Sequence, residues 1–417
     1  MNAPAALWKE GVFARVWISF SFSEFGSNIV VTMIPLIAAA FLGASPLQMG
    51  ILATANTLPY LVAAPFVGVI ADRLSRRTIL ISADIGRALV LAAGAAAAWY
   101  GALSFEVLYA VAFAVGIGNV WYDIAHGSYL PFIVDRERLI GANSYLSGSQ
   151  SAAHTVGPSL AGGLLQVAGT ALGILSGAVL YLLSALLLYS ANPGRPAAAG
   201  PERRSVWAEM RHGLRFIWRH PLLRPLTLRH ATWHFVVGGI YSQIVLYLVA
   251  GLHFSAAEVG GMLSVIGVGT LIGVVSAGRM SRGLGVGPAI MVSNVAAAAF
   301  TLLIALPSGA GTAAVAMIGA AMLAYGFCAI TYQINNASLR QAVTPDALLG
   351  RMTAVTRMTT FGANAVGAVG AGLIAQHLSV GFAIAAYSVL AVGVSLWGLV
   401  GTPLRSIRSL NQAEGYS

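Results

Sequence analysis

Between residues 13 and 400 the chain is built almost entirely of apolar runs of about 20 residues or more, the length a helix needs to cross the hydrocarbon core of a bilayer. No other feature constrains the fold as strongly. A large soluble core would break such runs with polar faces at helical spacing, and it would carry roughly a quarter charged residues. This chain is 58% hydrophobic and 9% charged. It therefore reads as an all-α integral membrane protein, and its length buys spans rather than soluble domains.

Twelve spans are expected, at residues 13–41, 48–71, 78–100, 105–130, 139–167, 170–190, 225–252, 256–280, 288–306, 312–335, 348–377 and 380–400. They divide into an N-terminal six-helix half (1–190), a cytoplasmic linker (191–224), a C-terminal six-helix half (225–402) and a short tail (403–417). Basic residues test this count, because cytoplasmic loops are enriched in Lys and Arg. Lys9, Arg15, Arg73, Arg76, Arg77, Arg136, Arg138, the linker arginines, Arg279, Arg282, Arg340, Arg351, Arg405 and Arg408 all fall at one set of span ends. An even number of spans with both termini cytoplasmic is the expectation. No removable signal peptide is read at the N-terminus.

The net charge of +10 marks orientation and does not point to a nucleic-acid partner, since the arginines form no basic face on a soluble module. A single cysteine, Cys328, excludes an internal disulfide and a cysteine-based metal cage. No metal and no cofactor is expected. In the linker, Val206, Met210, Leu214 and Ile217 recur at helical spacing with Trp207 and Trp218 at the margin, and Arg211, Arg215 and Arg219 line the opposite face. That pattern predicts a helix over 205–220 lying on the inner membrane surface, either as a passive tether or as a regulatory element.

A common offset lays Leu130, Val134, Glu137, Leu139 and Gly141 onto Leu339, Val343, Asp346, Leu348 and Gly350, and Arg73 onto Arg282. Two related halves of six spans follow, with a substrate site between them near the midplane. Acids inside a bilayer are costly and mark function or a partner. Three lie deep inside spans: Glu24, Asp84 and Asp123 are about 13, 10 and 12 Å in from the cytoplasmic ends of their helices. Asp84 and Arg87 are three residues apart on one helix and can pair.

Several short motifs carry a resemblance. Gly68, Asp72, Arg73, Arg76 and Arg77 lie in the turn between the second and third spans, and Gly157-Pro158-Ser159-Leu160-Ala161-Gly162-Gly163 lies in the fifth. With Ala83-Asp84-Ile85-Gly86-Arg87 and Tyr122-Asp123-Ile124-Ala125-His126, the chain resembles the major facilitator superfamily of secondary transporters. Within it, the bacterial branch of drug and macrolide efflux proteins and the enterobactin exporter is the most similar. Ser75 stands where that family usually has glycine, and Ala153 and Ala161 stand at usual glycine positions of the fifth-span antiporter signature.

The resemblance implies two pseudo-symmetric six-helix halves and alternating access. It also implies a latch in which Asp72 meets the start of the eleventh span, near Thr344-Pro345-Asp346, and Arg73, Arg76 or Arg77 reaches Asp123. Asp84 and Arg87 belong to the same cytoplasmic cluster as structural members. Asp123 reads either as the latch acceptor or as a proton site, and Glu24 either as a proton-coupling group or as a carboxyl held by Asn28 or Gln150. Gly157, Pro158 and Gly162 read either as an antiporter-type helix bend or as static small-residue packing. The substrate cavity would draw on Glu24, Asn28, Gln150, His154, Trp233, His234, Gln243, Tyr332, Asn336 and Asn364.

The leading functional expectation is proton-coupled export of a small organic or amphipathic compound from a bacterial plasma membrane, by a protein acting as a monomer. A lipid or lysophospholipid flippase and a proton-coupled importer of the same fold are the alternatives. An enzyme is not expected. There is no His-Glu-x-x-His motif, and Lys9, the chain's one lysine, lies outside the spans, which excludes a Ser-Lys dyad in the membrane.

Overall fold

The computed structural model describes residues 11–62, 75–135, 138–191, 206–306, 311–400, 403–409 and 412. The described backbone is helical almost throughout, as a chain with no water to satisfy its peptide groups must be. The helices are α1 (Gly11–Ala40), α2 (Pro46–Val62), α3 (Arg76–Trp99) and α4 (Phe105–Ile133). A continuous helical stretch, Leu139–Ser190, is broken at Gly169, whose φ of 76° and ψ of −179° lie outside the helical region, giving α5 (139–168) and α6 (170–190). Then follow α7 (Val206–Arg219), α8 (Leu223–Leu246), α9 (Ala256–Leu284), α10 (Val286–Ile304), α11 (Thr312–Ala342), α12 (Asp346–His377) and α13 (Val380–Val400).

Nine helical stretches among the described residues are long and apolar enough to cross a membrane. One of them is the broken stretch, which makes two passes, while α2 and α13 are the shorter apolar helices that complete a twelve-helix membrane fold. Gly169 reverses the chain with almost no loop. Ser149 of α5 and Ser184 of α6 both bond to the same part of α1, at Trp17 and Ser19, so the two helices run side by side in opposite directions.

Local chemistry sets the helix ends. Ser75 caps α3 by accepting from the Thr78 N–H at 3.1 Å, and Ser104 does the same for α4 with the Val107 N–H at 3.4 Å. Reciprocal capping boxes open α2 and α9. The Ser45 N–H donates to Gln48 at 2.8 Å and the Ser255 N–H donates to Glu258 at 2.8 Å, with each serine hydroxyl accepting from the later residue's N–H. The start of α12 has no side-chain cap. Thr344 donates its hydroxyl backwards to the Arg340 carbonyl at 2.6 Å, because residue 344 still packs as the last turn of α11. Of the first N–H groups of α12, that of Leu348 turns to the Pro345 carbonyl at 2.8 Å, and no side chain at the N-cap serves the rest.

The chain packs as two compact units. One comprises Met1–Leu42, Ala55–Glu202 and Ser255–Gly261; the other comprises Gly43–Thr54, Arg203–Phe254 and Met262–Ser417. In the first, α1 is nearly enclosed, with Phe13, Val16, Phe20, Ile29, Val30 and Met33 buried. In the second, α8 plays the same part through Leu226, Trp233, Val236, Ile240 and Ile244. Small residues let these helices approach closely, the usual device where lipid offers no hydrophobic drive to association.

The linker helix α7 packs within the second unit, and it does so differently from the expected stripe. Val206 and Met210 lie outside the described side chains. Ile217 is fully buried, whereas Leu214 and Trp218 are about half exposed and share an open groove with Arg211, Arg215 and Arg219. The opposite face is used by Gly213, which sits against the backbone of Arg351 on α12, and by His212, which accepts from Arg351 at 3.1 Å. The apolar stripe thus divides between protein contact and the arginine-lined groove.

Candidate functional site

Arg87 is the hub of the first unit. It is 2% exposed, forms an ion pair with the fully buried Asp84 on the same face of α3, and lies between the rings of Tyr122 and Tyr181 at 4.7 and 4.1 Å. Two further contacts run to Ser23 of α1 at 3.0 Å and Asn119 of α4 at 2.9 Å, while its buried Nε–H has no acceptor among the described residues. Asp84 in turn accepts from Ser23 at 3.2 Å and from Ser184 of α6 at 2.6 Å. Gly118 leaves room for the Arg87 stem, since a Cβ there would stand 2.4 Å from its Cγ. Four helices are tied through one neutralised pair, and no donor or acceptor of the pair is directed outward for chemistry.

Glu24 sits one residue beyond Ser23 on α1 and is half-buried. The Gln150 side chain on α5, Asp123 and Arg87 all lie close enough to act on its carboxyl. Asn28 uses its amide on the Glu24 backbone carbonyl at 2.9 Å and so leaves the carboxyl alone. Among the described residues Glu24 has no ion-pair partner. Asp123 is exposed and accepts from the Tyr60 hydroxyl at 2.8 Å. Gln150 and His154 are exposed on α5. Phe20 and Tyr122 both stack on His126, with ring centroids 4.3 and 5.8 Å away.

The loop motif is only partly described. Gly68, Asp72 and Arg73 lie outside the described residues. Arg77 does not face Asp123: it donates to the Leu188 carbonyl at 3.1 Å and to the Tyr189 carbonyl, while Arg15 donates to the Ser190 carbonyl at 2.8 Å. Carbonyls in the last turn of a helix carry partial negative charge, which draws both guanidiniums. Gly157 and Gly162 are closely packed. A Cβ on Gly157 would lie 2.8 Å from that of Asn28, and one on Gly162 would lie 2.2 Å from the Ala256 carbonyl oxygen. Helical dihedrals continue through Pro158, and the chain turns only at Gly169.

In the second unit a polar seam runs between α8, α11 and α12. His230 bonds Thr360 at 3.0 Å and Asn336 at 3.2 Å; His234 lies edge-on to His230 at 4.4 Å, with Asn364 close to it; Arg340 donates to Thr356 at 3.0 Å. Each helix contributes at four-residue intervals, the spacing that stacks side chains on one helical face. Trp233 and Tyr332, whose rings are 5.6 Å apart, wall the seam. Sequence reasoning named His234, Asn336, Asn364, Trp233 and Tyr332 but missed His230, Arg340, Thr356 and Thr360. The repeated four-residue interval was the signal available. Gln243, expected in the cavity, is fully buried and donates to the Pro46 carbonyl at 3.0 Å, so it anchors the start of α2 instead.

Comparison with known proteins agrees with this architecture. The Major Facilitator Superfamily profile matches residues 16–368. The chain is 26% identical over 409 residues to the multidrug efflux pump Tap of Mycolicibacterium fortuitum, covering 93% of this chain and 94% of that one. It is 26% identical to the enterobactin exporter EntS of Citrobacter koseri over 280 residues, 65% of this chain and 62% of that one. Among solved structures, a bacterial homologue of the iron transporter ferroportin in an inward-facing state superposes with a TM-score of 0.74 at 18% identity, covering 93% of this chain and 98% of that one. A twelve-helix membrane fold with a profile match over most of its length makes this chain a multi-pass transport protein, not an enzyme, and a member of the major facilitator superfamily.

Proposed function

We propose that the protein exports a small organic or amphipathic compound across the bacterial plasma membrane by alternating access, in exchange for protons, with both termini cytoplasmic. The observation that carries the proton reading is the contrast among the three membrane acids. Asp84 is consumed by Arg87 and two serines, and Asp123 accepts from a tyrosine. Glu24 alone is half-buried, near the neutral amide of Gln150, and without a cation within ion-pair distance among the described residues. A carboxyl so placed can take up and release a proton without breaking a salt bridge that the fold depends on. Export, as the direction, draws support from the fifth-span signature and from the names of the exporters this chain is similar to.

The cytoplasmic cluster of Gly68, Asp72, Arg73 and Arg76 is retained in this reading as a latch on the open start of α12, whose uncapped N–H groups favour an anion. Arg77 is assigned instead to the end of α6.

The test is transport by the purified protein in proteoliposomes with an imposed proton gradient. An inward gradient should drive substrate outward. Glu24→Gln should insert and fold, and should lose the response to the gradient while keeping exchange of substrate for substrate. Gradient-driven transport unchanged in Glu24→Gln removes Glu24 from the mechanism; no gradient response in the unaltered protein removes proton antiport.

A further inference from the structure

Arg357 stands about 16 Å along α12 from its first residue, well inside the span Leu348–His377. Its side chain is exposed, and no hydrogen bond or ion pair to a described residue engages it. An arginine facing lipid at such depth is costly even on the mildest scales, so an exposed one belongs on a water-filled passage. Directly beside it, Thr356 receives the Nη1 donor of Arg340, which is 8% exposed and whose Nε–H has no acceptor among the described residues.

Among the described side chains around α12 there is no countercharge. Helices α8, α10, α11 and α13 contain no Asp or Glu, α12 has one only as its first residue, Asp346, and α7, which packs near the start of α12, has Glu209, whose side chain lies outside the described ones. Arg229 of α8 is engaged through Nε and Nη2 by the Asn294 amide oxygen at 3.1 and 2.9 Å, and Arg351, nearer the start of α12, donates to His212. Arg357 thus stands next in sequence to the residue that Arg340 bonds, and neither guanidinium has a protein anion among the described residues. Phe361, one turn beyond Arg357 on the same face of α12, supplies an aromatic surface beside the charge.

We propose that Arg357, backed by Arg340, binds an anionic oxygen group of the carried compound, a carboxylate or a phenolate, with Phe361 against the compound's apolar body. The inference rests on the transport reading and narrows its substrate class to amphipathic organic anions. A guanidinium suits that task because its planar fork pairs with both oxygens of a carboxylate and its charge persists at every working pH.

The test is equilibrium binding to the purified full-length protein by calorimetry, using 1-naphthoate and 1-naphthamide as probes of similar shape and different charge. The naphthoate should bind at least tenfold more tightly. Arg357→Gln should bring the two probes to parity, and Arg357→Lys should keep part of the preference. Equal affinities in the unaltered protein, binding of neither probe, or a preference that survives Arg357→Gln would each overturn the proposal. Unfolding temperatures of both variants should match the parent, since the side chain is exposed and makes no bond to the described residues. Binding is read without a gradient, so failure of proton-driven transport with the charge preference intact would count against the transport reading alone.

Discussion

At the scale of single residues, the fate of each charge follows from what surrounds it. Asp84 and Arg87 are both inside the protein and satisfied by each other, so removing one leaves the other buried and unpaired, at a cost of about 3–5 kcal/mol. Asp84→Asn should therefore lower stability strongly in a detergent-unfolding measurement. The double change Asp84→Leu with Arg87→Met should recover much of that loss, as neither charge then needs a partner. This pair was legible in the sequence because its two members sit three apart on one helix. The partner of Arg77 was not: Tyr189 is distant in sequence, and its carbonyl becomes available only because α6 ends there. Arg357 was passed over because a lone arginine in an apolar run shows nothing of its exposure until the helices are packed.

At the scale of elements, all twelve spans and the linker helix were legible, since hydropathy alone decides which segments leave water. Helix ends were less so. The eleventh span was expected to start near Thr344-Pro345-Asp346, yet the Thr344 hydroxyl is spent on the preceding helix. The start of α8 has a cap of its own: His220, outside the span, accepts from the Leu222 and Leu223 N–H groups on Nδ1, both at 3.2 Å. Burial holds the His220 imidazole below its usual pKa, favouring the neutral ring that can accept. A lowered folded-state pKa means the unfolded chain binds the extra proton first, so this contribution is present above about pH 6.5 and fades as pH falls below it. Thermal unfolding across that range should show the loss in the parent and not in His220→Asn, which caps without titrating there. On α5, Gly162→Ala must push the Ala256 backbone aside, and a loss of about 1–3 kcal/mol is expected from the same unfolding measurement.

At the scale of the whole molecule, the two units differ in how they manage charge. The first holds its membrane arginine against a carboxylate, while the second carries guanidiniums with only neutral partners among the described residues. The internal offset in the sequence relates the two as folds and conceals this difference, because the seam of α8, α11 and α12 assembles from segments more than a hundred residues apart. If the proposal holds, one unit handles protons and the other handles the anion, so a compound's charge should set its transport rate independently of the gradient. The single-residue reversal at Gly169 bears on how such a molecule is made. With no polar connection between α5 and α6, the ribosome delivers a pair of helices that needs no hydrophilic segment threaded through the membrane. It can partition sideways from the insertion machinery as a finished hairpin, and an epitope or linker spliced at Gly169 should block assembly at synthesis, before any question of transport arises.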